Sequence, residues 1–348
     1  MEAFDQEQNY FGLDLGNSSI KVAQLRELQG RPTLVTYGDM DIQENIIMSD
    51  SLIDQDKVAG YLKQLVADAN ISSKNVIAAL PSTSSFTAII KTPRLNHKEL
   101  GESIGYQADK YIPMAIDQVK LDWAIIEDNP QEEELTVLLV AAPNNIATKY
   151  LNIIQKAGLE LLALEVNALA LARSLTLASQ TESNCMIVDI GTTNCDIAIF
   201  KGQVPQIVRS VGIGSKAIRR VISQNLGLDE TQADQFMKKF GMQEDKIEGQ
   251  VFKTVKPVVD HIVDEINKSI NYFIERNPKL KIEKIILTGG TSALPGLPAY
   301  LANSAKLTVE IGNPWVNITY PADMQQTLAS ISLNYATSLG LALRNFIR

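Results

Sequence analysis

Short apolar runs broken by Gly, Pro and polar clusters fill the first forty residues. Phe11–Leu15 and Ile20–Leu28 read as strands around a Gly16-Asn17-Ser18-Ser19 turn, and Thr33–Tyr37 as a third strand after Gln29-Gly30-Arg31-Pro32. The opening is an antiparallel meander. The period then changes. Val58, Tyr61, Leu62, Leu65, Val66 and Ala69 share one face of a helix predicted over Asp56–Asn70. Val76–Leu80 and Phe86–Lys91 are strands stopped by prolines. A helix with Leu100, Ile104 and Tyr111 on its apolar face follows. Strands are predicted at Val119–Glu127 and Leu135–Ala142, and a helix at Asn145–Ala157 closed by Gly158. Residues 76–158 thus form a compact mixed unit, ferredoxin-like in pattern.

Leu159–Glu165 is a strand and Ala168–Leu177 a helix. The polar stretch Ser179–Asn184 marks a lobe boundary, and after it the opening pattern returns. Met186–Ile190 and Cys195–Phe200 flank Gly191-Thr192-Thr193-Asn194, and Val204–Ser210 follows the Lys201-Gly202 turn. Helices fill about 215–276. Lys284–Thr288 is a strand that enters a Gly-Gly turn, and a helix starts at Gly296. Asn334–Arg348 reads as a last helix, either docked on the core or lying on a membrane surface.

The two meanders are similar in sequence. Leu13-Asp14-Leu15-Gly16 and Val188-Asp189-Ile190-Gly191 share apolar–Asp–apolar–Gly, then two polar residues and a strand, at an offset of half the chain. This predicts two lobes of one design that face each other. A Gly turn with small hydroxyl residues can aim backbone N–H groups and hydroxyls at phosphate oxygens. An Asp ending each first strand can hold a hydrated Mg²⁺, which keeps several waters and uses few carboxylates. Lys21 can neutralise a phosphate as a point charge. The plainer reading is two ordinary hairpins whose Asp residues satisfy turn N–H groups, and the second copy turns the balance against it. Gly289-Gly290-Thr291-Ser292 is a third element, where glycines let backbone approach a flat ring.

Composition narrows the class. The chain has 348 residues, 45% hydrophobic and 21% charged, enough for about two domains with sizeable cores. A net charge of −8 with no long basic run makes nucleic acid a poor main partner. The opening residues lack the basic and apolar regions of a signal peptide, so a cytoplasmic chain with reduced Cys185 and Cys195 is expected. His97 and His261 have no ligand cluster near them in sequence, so no zinc site is expected.

Asp14–Lys21, Asp189–Thr193 and Gly289–Ser292, in this order, resemble the phosphate-one, phosphate-two and adenosine motifs of the actin-like ATPase superfamily. Within it the chain most closely resembles the PilM family of type IV pilus assembly proteins, from about Phe11 onward. The resemblance rests on Phe11–Val22, on Tyr106–Pro113 with Leu121-Asp122, on Glu265–Tyr272 and on Ser338–Arg344. Lys268 stands where that family usually has Arg, and Gly101 and Gly105 where its helix is more acidic.

The resemblance implies an α/β, two-lobed actin-like fold, a ribonuclease H-like duplication with an FtsA-type 1C insertion. Subdomain 1A would take 1–75, 159–183 and 328–348, subdomain 1C would take 76–158, and the second lobe 184–327. It implies ATP and Mg²⁺ in the cleft, with Asp14 and Asp189 on the metal through water. Gly16, Asn17, Ser18, Ser19, Lys21, Gly191, Thr192 and Thr193 would hold the phosphates, and Gly289, Gly290, Thr291 and Ser292 the nucleoside. At most slow hydrolysis is expected.

The implied partner is the N-terminal cytoplasmic segment of a PilN-like bitopic inner-membrane protein, held between 1A and 1C, with other platform or motor proteins beside it. The chain would sit at the inner face of the cytoplasmic membrane through that partner. A filament-forming FtsA-like protein and a hexokinase-type kinase are the rival readings.

Four further assignments carry two readings each. Glu165 either positions the attacking water or is a helix-start acid favoured by the macrodipole. Gly212–Lys216, with Gly214 and Lys216, either approaches nucleotide or is a strand-to-helix turn capped by Ser215. Glu265 and Lys268 either reach adenine or ribose or form a surface ion pair. Tyr106, Tyr111, Ile112 and Met114 either line a peptide groove or are core.

Overall fold

The computed structural model describes residues 9–176 and 184–346, so most of the polar stretch 179–184 lies outside the described residues. The chain divides into two compact units, 1–173 with 337–348, and 174–336.

The first unit opens with β1 (Phe11–Leu15), β2 (Ser19–Leu28) and β3 (Arg31–Asp41). β3 is longer than the apolar run predicted, because its second half pairs with β2 through backbone bonds that side-chain polarity does not report. α1 (Leu52–Asp68) starts four residues before the predicted Asp56. Its first residues Leu52 and Ile53 are exposed and out of phase with the core face.

β4 (Asn75–Leu80) pairs in parallel with β1 and with β8 (Glu160–Val166), which makes a five-stranded sheet in the order β3-β2-β1-β4-β8. The uniformly apolar β4 suits an inner parallel strand covered on both faces. α3 (Asn144–Lys156) packs on α1, and its Tyr150, Ile153 and Ile154 join the core formed by Leu13, Ile20 and Leu62.

β4 and α3 therefore belong to the main sheet's layers, although the sequence pattern grouped them with 76–158. What stands apart is β5 (Phe86–Pro93), α2 (His97–Ala108), β6 (Val119–Glu127) and β7 (Glu134–Pro143), with a three-stranded sheet β5-β7-β6 and its own core. A ferredoxin-like pattern lacks its fourth strand here. Tyr111 also departs from expectation. α2 ends at Ala108, and Ala108 and Ile112 take the buried positions while Tyr111 is 50% exposed. Pro113 disfavours helical backbone at the residue before it, which ends the helical run. Ile112 and Met114 pack in this core, whereas Tyr106 is 84% exposed.

The second unit repeats the first. β9 (Asn184–Ile190), β10 (Cys195–Lys201), β11 (Val204–Val211), β12 (Lys284–Thr288) and β13 (Thr308–Ile311) form a sheet ordered β11-β10-β9-β12-β13, the same topology as the first sheet. The register repeats too. Asp14 pairs with Lys21 and Leu15 with Ile20, as Asp189 pairs with Asp196 and Ile190 with Cys195. α5 (Ser215–Leu226), α6 (Glu230–Phe240) and α7 (Gln250–Arg276) cover one face. α8 (Leu297–Ala305) precedes β13. Cys185 and Cys195 are free buried thiols, and burial pushes Cys185 up to about 11 and Cys195 well up.

α4 (Asn167–Leu175) and α9 (Gln325–Ala342) are the helices whose residues fall in both units. α9 starts nine residues before the predicted Asn334, since its first turns are largely exposed and polar. Its end is docked on the first unit's core, with Leu339, Leu341 and Leu343 buried. A Cβ at Gly340 would lie 1.9 Å from the Ala170 carbonyl oxygen, so the α4–α9 contact is backbone against backbone. Tyr10 fastens the same end, donating to the Ala342 carbonyl at 3.0 Å and accepting from the Asn345 N–H at 3.0 Å. Burial pushes the Tyr10 phenol up to about 12. Among the described residues no helix is long and apolar enough to cross a membrane.

Candidate functional site: two phosphate-loop turns

In the first unit the β1–β2 turn is closed by the Gly16 N–H, which donates to the Ser19 carbonyl at 3.0 Å. Asp14 and Lys21 are cross-strand partners on one face of the hairpin, and the Lys21 ammonium donates to Ser19 Oγ at 2.6 Å. Ser18 and Asn17 present their carbonyls to the stretch after β3. The Ile42 N–H donates to the Ser18 carbonyl and the Asn45 N–H to the Asn17 carbonyl, each at 2.9 Å. The turn is thus held from behind, with an acid, a base and short polar side chains on it.

The second unit builds the same object. The Gly191 N–H donates to the Asn194 carbonyl at 2.9 Å. The stretch after the third strand again braces the turn, as the Ser215 N–H donates to the Gly191 carbonyl at 3.1 Å and the Lys216 N–H to the Thr192 carbonyl at 2.9 Å. Gly214, not Ser215, is the N-cap of α5, and a Cβ there would lie 2.5 Å from the Gly191 carbonyl oxygen and 2.6 Å from Thr192 backbone. The glycine is there for close approach, and the first N–H groups of α5 are spent on the turn itself. The α5 start is therefore a brace for Thr192 and carries Lys216 beside it.

Gly289–Ser292 arrives at the same place. Thr288 pairs with Asp189 across parallel strands. Gly289 has φ +83°, and a Cβ there would lie 2.4 Å from Asp189 Oδ1. Only glycine fits, for conformation and for space. Thr291 Oγ1 donates to the Gly191 carbonyl at 2.9 Å, and Ser292 Oγ to the Thr288 carbonyl at 2.5 Å. Gly290 lies against Asn334. In the second unit Asp189, Gly191, Thr192, Thr193, Gly214, Lys216 and Gly289–Ser292 are thus one local cluster.

Glu265 and Lys268 stand on α7 as an ion pair at 2.6 Å, with Arg209 3.6 Å from the other Glu265 oxygen. The Lys268 hydrogen bond draws the Glu265 carboxyl below the usual range. Glu165 is not a helix residue. It is the last but one residue of β8, buried, accepting from Arg173 at 2.7 Å with Arg344 at 3.6 Å on the other oxygen. Arg173 also donates to the Gly340 carbonyl at 2.6 Å. These bonds tie α9 to β8 and α4, a task that local spacing around Glu165 does not reveal.

Asp196 was given no role from the sequence. It occupies the register position that Lys21 occupies in the first unit, buried beside Asp189. Its Oδ1 accepts from Asn194 Nδ2 at 2.9 Å and Ser210 Oγ at 2.6 Å. The repeat offset was the signal that could have found it.

Each turn fits a phosphate with a hydrated divalent cation. Hydroxyls, turn backbone and a lysine supply donors, and the few carboxylates, Asp14 at the first turn and Asp189 with Asp196 opposite it at the second, suit a Mg²⁺ that keeps its waters. Gly289 packs its backbone directly against the Asp189 carboxylate and so holds that acid in place beside the turn.

A sequence model of the family "type IV pilus assembly protein PilM" matches residues 12–346. The chain belongs to the PilM family. The structure of a PilM–PilN type IV pilus biogenesis complex is similar, with TM-score 0.87 at 24% identity over 98% of this chain and 99% of that one. MreB5 of Spiroplasma citri bound to ADP is similar at TM-score 0.55 and 13% identity, over 99% of this chain and 98% of that one. Among curated relatives, cell division protein FtsA of Escherichia coli K12 is 22% identical over 231 residues, 59% of this chain and 54% of FtsA. The chain spans about half the length of the curated relatives it matches. The PilM family and these neighbours establish the actin-like ATPase fold, with the duplicated sheet as its local sign.

Proposed function

We propose that this chain binds Mg-ATP and serves as a cytoplasmic scaffold of the type IV pilus inner-membrane platform. It would hold the N-terminal cytoplasmic segment of a PilN-like membrane protein. The observation that carries the nucleotide reading is the meeting of Gly191–Thr193, Gly214–Lys216 and Gly289–Ser292 around Asp189, with the same turn repeated at Asp14–Lys21. The similarity to MreB5 bound to ADP supports it. The similarity to a PilM–PilN complex supports the partner.

In this reading Ser18, Ser19, Lys21, Thr192 and Thr193 hold phosphates, and Gly289–Ser292 give backbone to the nucleoside. Gly16 and Gly191 shape the turns. Asp14 and Asp189 orient the waters of Mg²⁺, which supplies charge neutralisation. Lys216 adds positive charge near the second turn. Glu265 and Lys268 stay candidates for the nucleoside edge. Glu165 is left out of the nucleotide set, because both of its oxygens face guanidinium groups.

The partner segment would lie between 1A and the β5–β7 insertion, and nucleotide would bias that groove between two states. Calorimetric titration of the Mg-ATP-loaded protein with the host's own PilN-like N-terminal peptide tests this. Saturable binding, lost on substituting groove residues, is expected. A protein that holds ATP and ignores the peptide would sink the scaffold reading. Equal peptide affinity with ATP, ADP and no nucleotide would sink the coupling.

A further inference from the structure

The chain enters α7 through strained backbone. Ile247, Glu248 and Gly249 have φ of +47°, +53° and +71°, three left-handed residues in a row. L-residues visit that region singly, and for a β-branched side chain such as Ile247 it is a true outlier. Little packing holds the turn in return. The Ile247 side chain is 38% exposed. The Gly249 N–H donates to the Lys246 carbonyl at 2.9 Å, and the Lys253 ammonium to the Glu248 carbonyl at 3.3 Å. Strain with so few contacts points to a second arrangement of the same segment.

Residue order names that arrangement. Asp245-Lys246-Ile247-Glu248 is a helix-start signature, an N-cap acid followed three residues later by Glu. The same device is formed at the start of α2 by Asn96 with Glu99, and at the start of α6 by Asp229 with Gln232. At α7 it is idle, because the N-cap is Gly249, which has no side chain to bond. In a helix begun at Lys246, Ile247 stands four residues before Val251, on the buried stripe of Val251, Val255, Val259 and Ile262. We propose that Asp245–Gly249 is a two-state switch with Gly249 as its hinge. One state is the left-handed turn, and the other is the first turn of a longer α7. The chain that feeds the switch is fastened to the Gly289–Ser292 turn. The Met242 N–H donates to the Pro295 carbonyl at 2.7 Å, and the Leu294 N–H to the Thr291 carbonyl at 3.1 Å. A Cβ at Gly296 would lie 2.8 Å from the Met242 carbonyl oxygen, so these backbones are in direct contact. What occupies the Gly289–Ser292 turn therefore biases the switch. That link rests on the nucleotide reading, whereas the two forms of α7 do not.

The test is hydrogen–deuterium exchange of the 247–251 amides in the full-length protein, read by mass spectrometry. Gly249→Ala penalises the left-handed turn and favours helix, so exchange about tenfold slower is expected. Adding Asp245→Ala removes the N-cap and should return most of that protection. Ile247→Gly relieves the left-handed turn, and its amides should exchange at least as fast as those of the wild type. A Gly249→Ala protein that exchanges as before, whether or not it melts lower, would overturn the two forms. So would protection that survives Asp245→Ala, or slower exchange in Ile247→Gly. Saturating Mg-ATP, with binding followed by calorimetry, should shift the wild-type rate about threefold or more and leave Gly249→Ala and Ile247→Gly unshifted. Bound Mg-ATP without that shift would overturn the link to the Gly289–Ser292 turn. A protein that binds no Mg-ATP would sink the nucleotide reading instead, and the variants would still decide whether α7 has two forms.

Discussion

The two units share one sheet topology, one register and one way of bracing the turn, yet the same site on the second strand carries Lys21 in one and Asp196 in the other. In the first unit an acid faces a base across the hairpin. In the second two acids face each other, and like charges directly opposite are unfavourable unless something compensates. Asn194 and Ser210 supply hydrogen bonds to Asp196, and Gly289 brings uncluttered backbone to Asp189. The backbone of a duplicated unit is thus kept while its chemistry diverges. One copy sets a cation, Lys21, across from its acid, the charge that the proposed phosphate site needs. The other is a pair of facing acids braced by α5 and the Gly289 turn.

The sharpest way to break the comparison is at Gly289. Gly289→Val places a branched side chain at φ +83° on the Asp189 carboxylate. Strained backbone of this kind costs about 1–3 kcal/mol before the clash is counted. A lowered melting temperature and loss of nucleotide binding are expected, by calorimetry. Next come the two turns themselves. Asp196→Ala strips a buried acceptor from Asn194 and Ser210, which at about 1–3 kcal/mol should exceed the cost of Lys21→Ala. Urea denaturation should rank them so, while nucleotide titration should show Lys21→Ala losing affinity about tenfold, or 1.4 kcal/mol. Equal effects in both assays would mean that the copies have not diverged.

Tyr10 tests the fastening of α9 in the first unit. Its pKa is raised on folding, so its stabilisation is present below the ordinary phenol value near 10 and is lost as pH rises to about 12. That alkaline loss should reach about 2–3 kcal/mol and be missing in Tyr10→Phe. The phenylalanine variant should also be less stable at neutral pH, through two lost hydrogen bonds. The smallest effect belongs to Lys268→Ala. Removing an exposed helical pair should cost about 0.3–0.5 kcal/mol. Glu265 has a lowered folded pKa, so the pair's share is present above the carboxyl's unfolded value and is lost as pH falls from there through the lower folded one. A melting-temperature series from pH 7 to 3 should show that share vanish.

The hairpins around Gly16 and Gly191 were legible because both are local. A tight turn, alternating strands and an Asp before a Gly all lie within ten residues. The offset then exposed the duplication, and the family resemblance supplied an order of motifs. What the reading missed lies at long range. Val76–Leu80 looks like any buried strand, and only its parallel pairing with β1 and β8 assigns it to the main sheet. Tyr111 sat on the predicted helical stripe, but Asp109–Ile112 is a turn before Pro113. Asp196 lay in plain view within the repeat, and its importance depends on Ser210, which arrives from the neighbouring strand.

By itself the sequence determined the two turns, their flanking strands, most helices and the half-chain repeat. Periodicity and turn chemistry act over a few residues and are written directly in residue order. Only the tertiary structure decided which elements share a sheet and what closes around each turn. Thr291 meets Gly191 across 100 positions, and Arg173 meets Gly340 across 167. Such contacts come from packing whole layers so that buried polar groups find partners, and no local pattern names the partner.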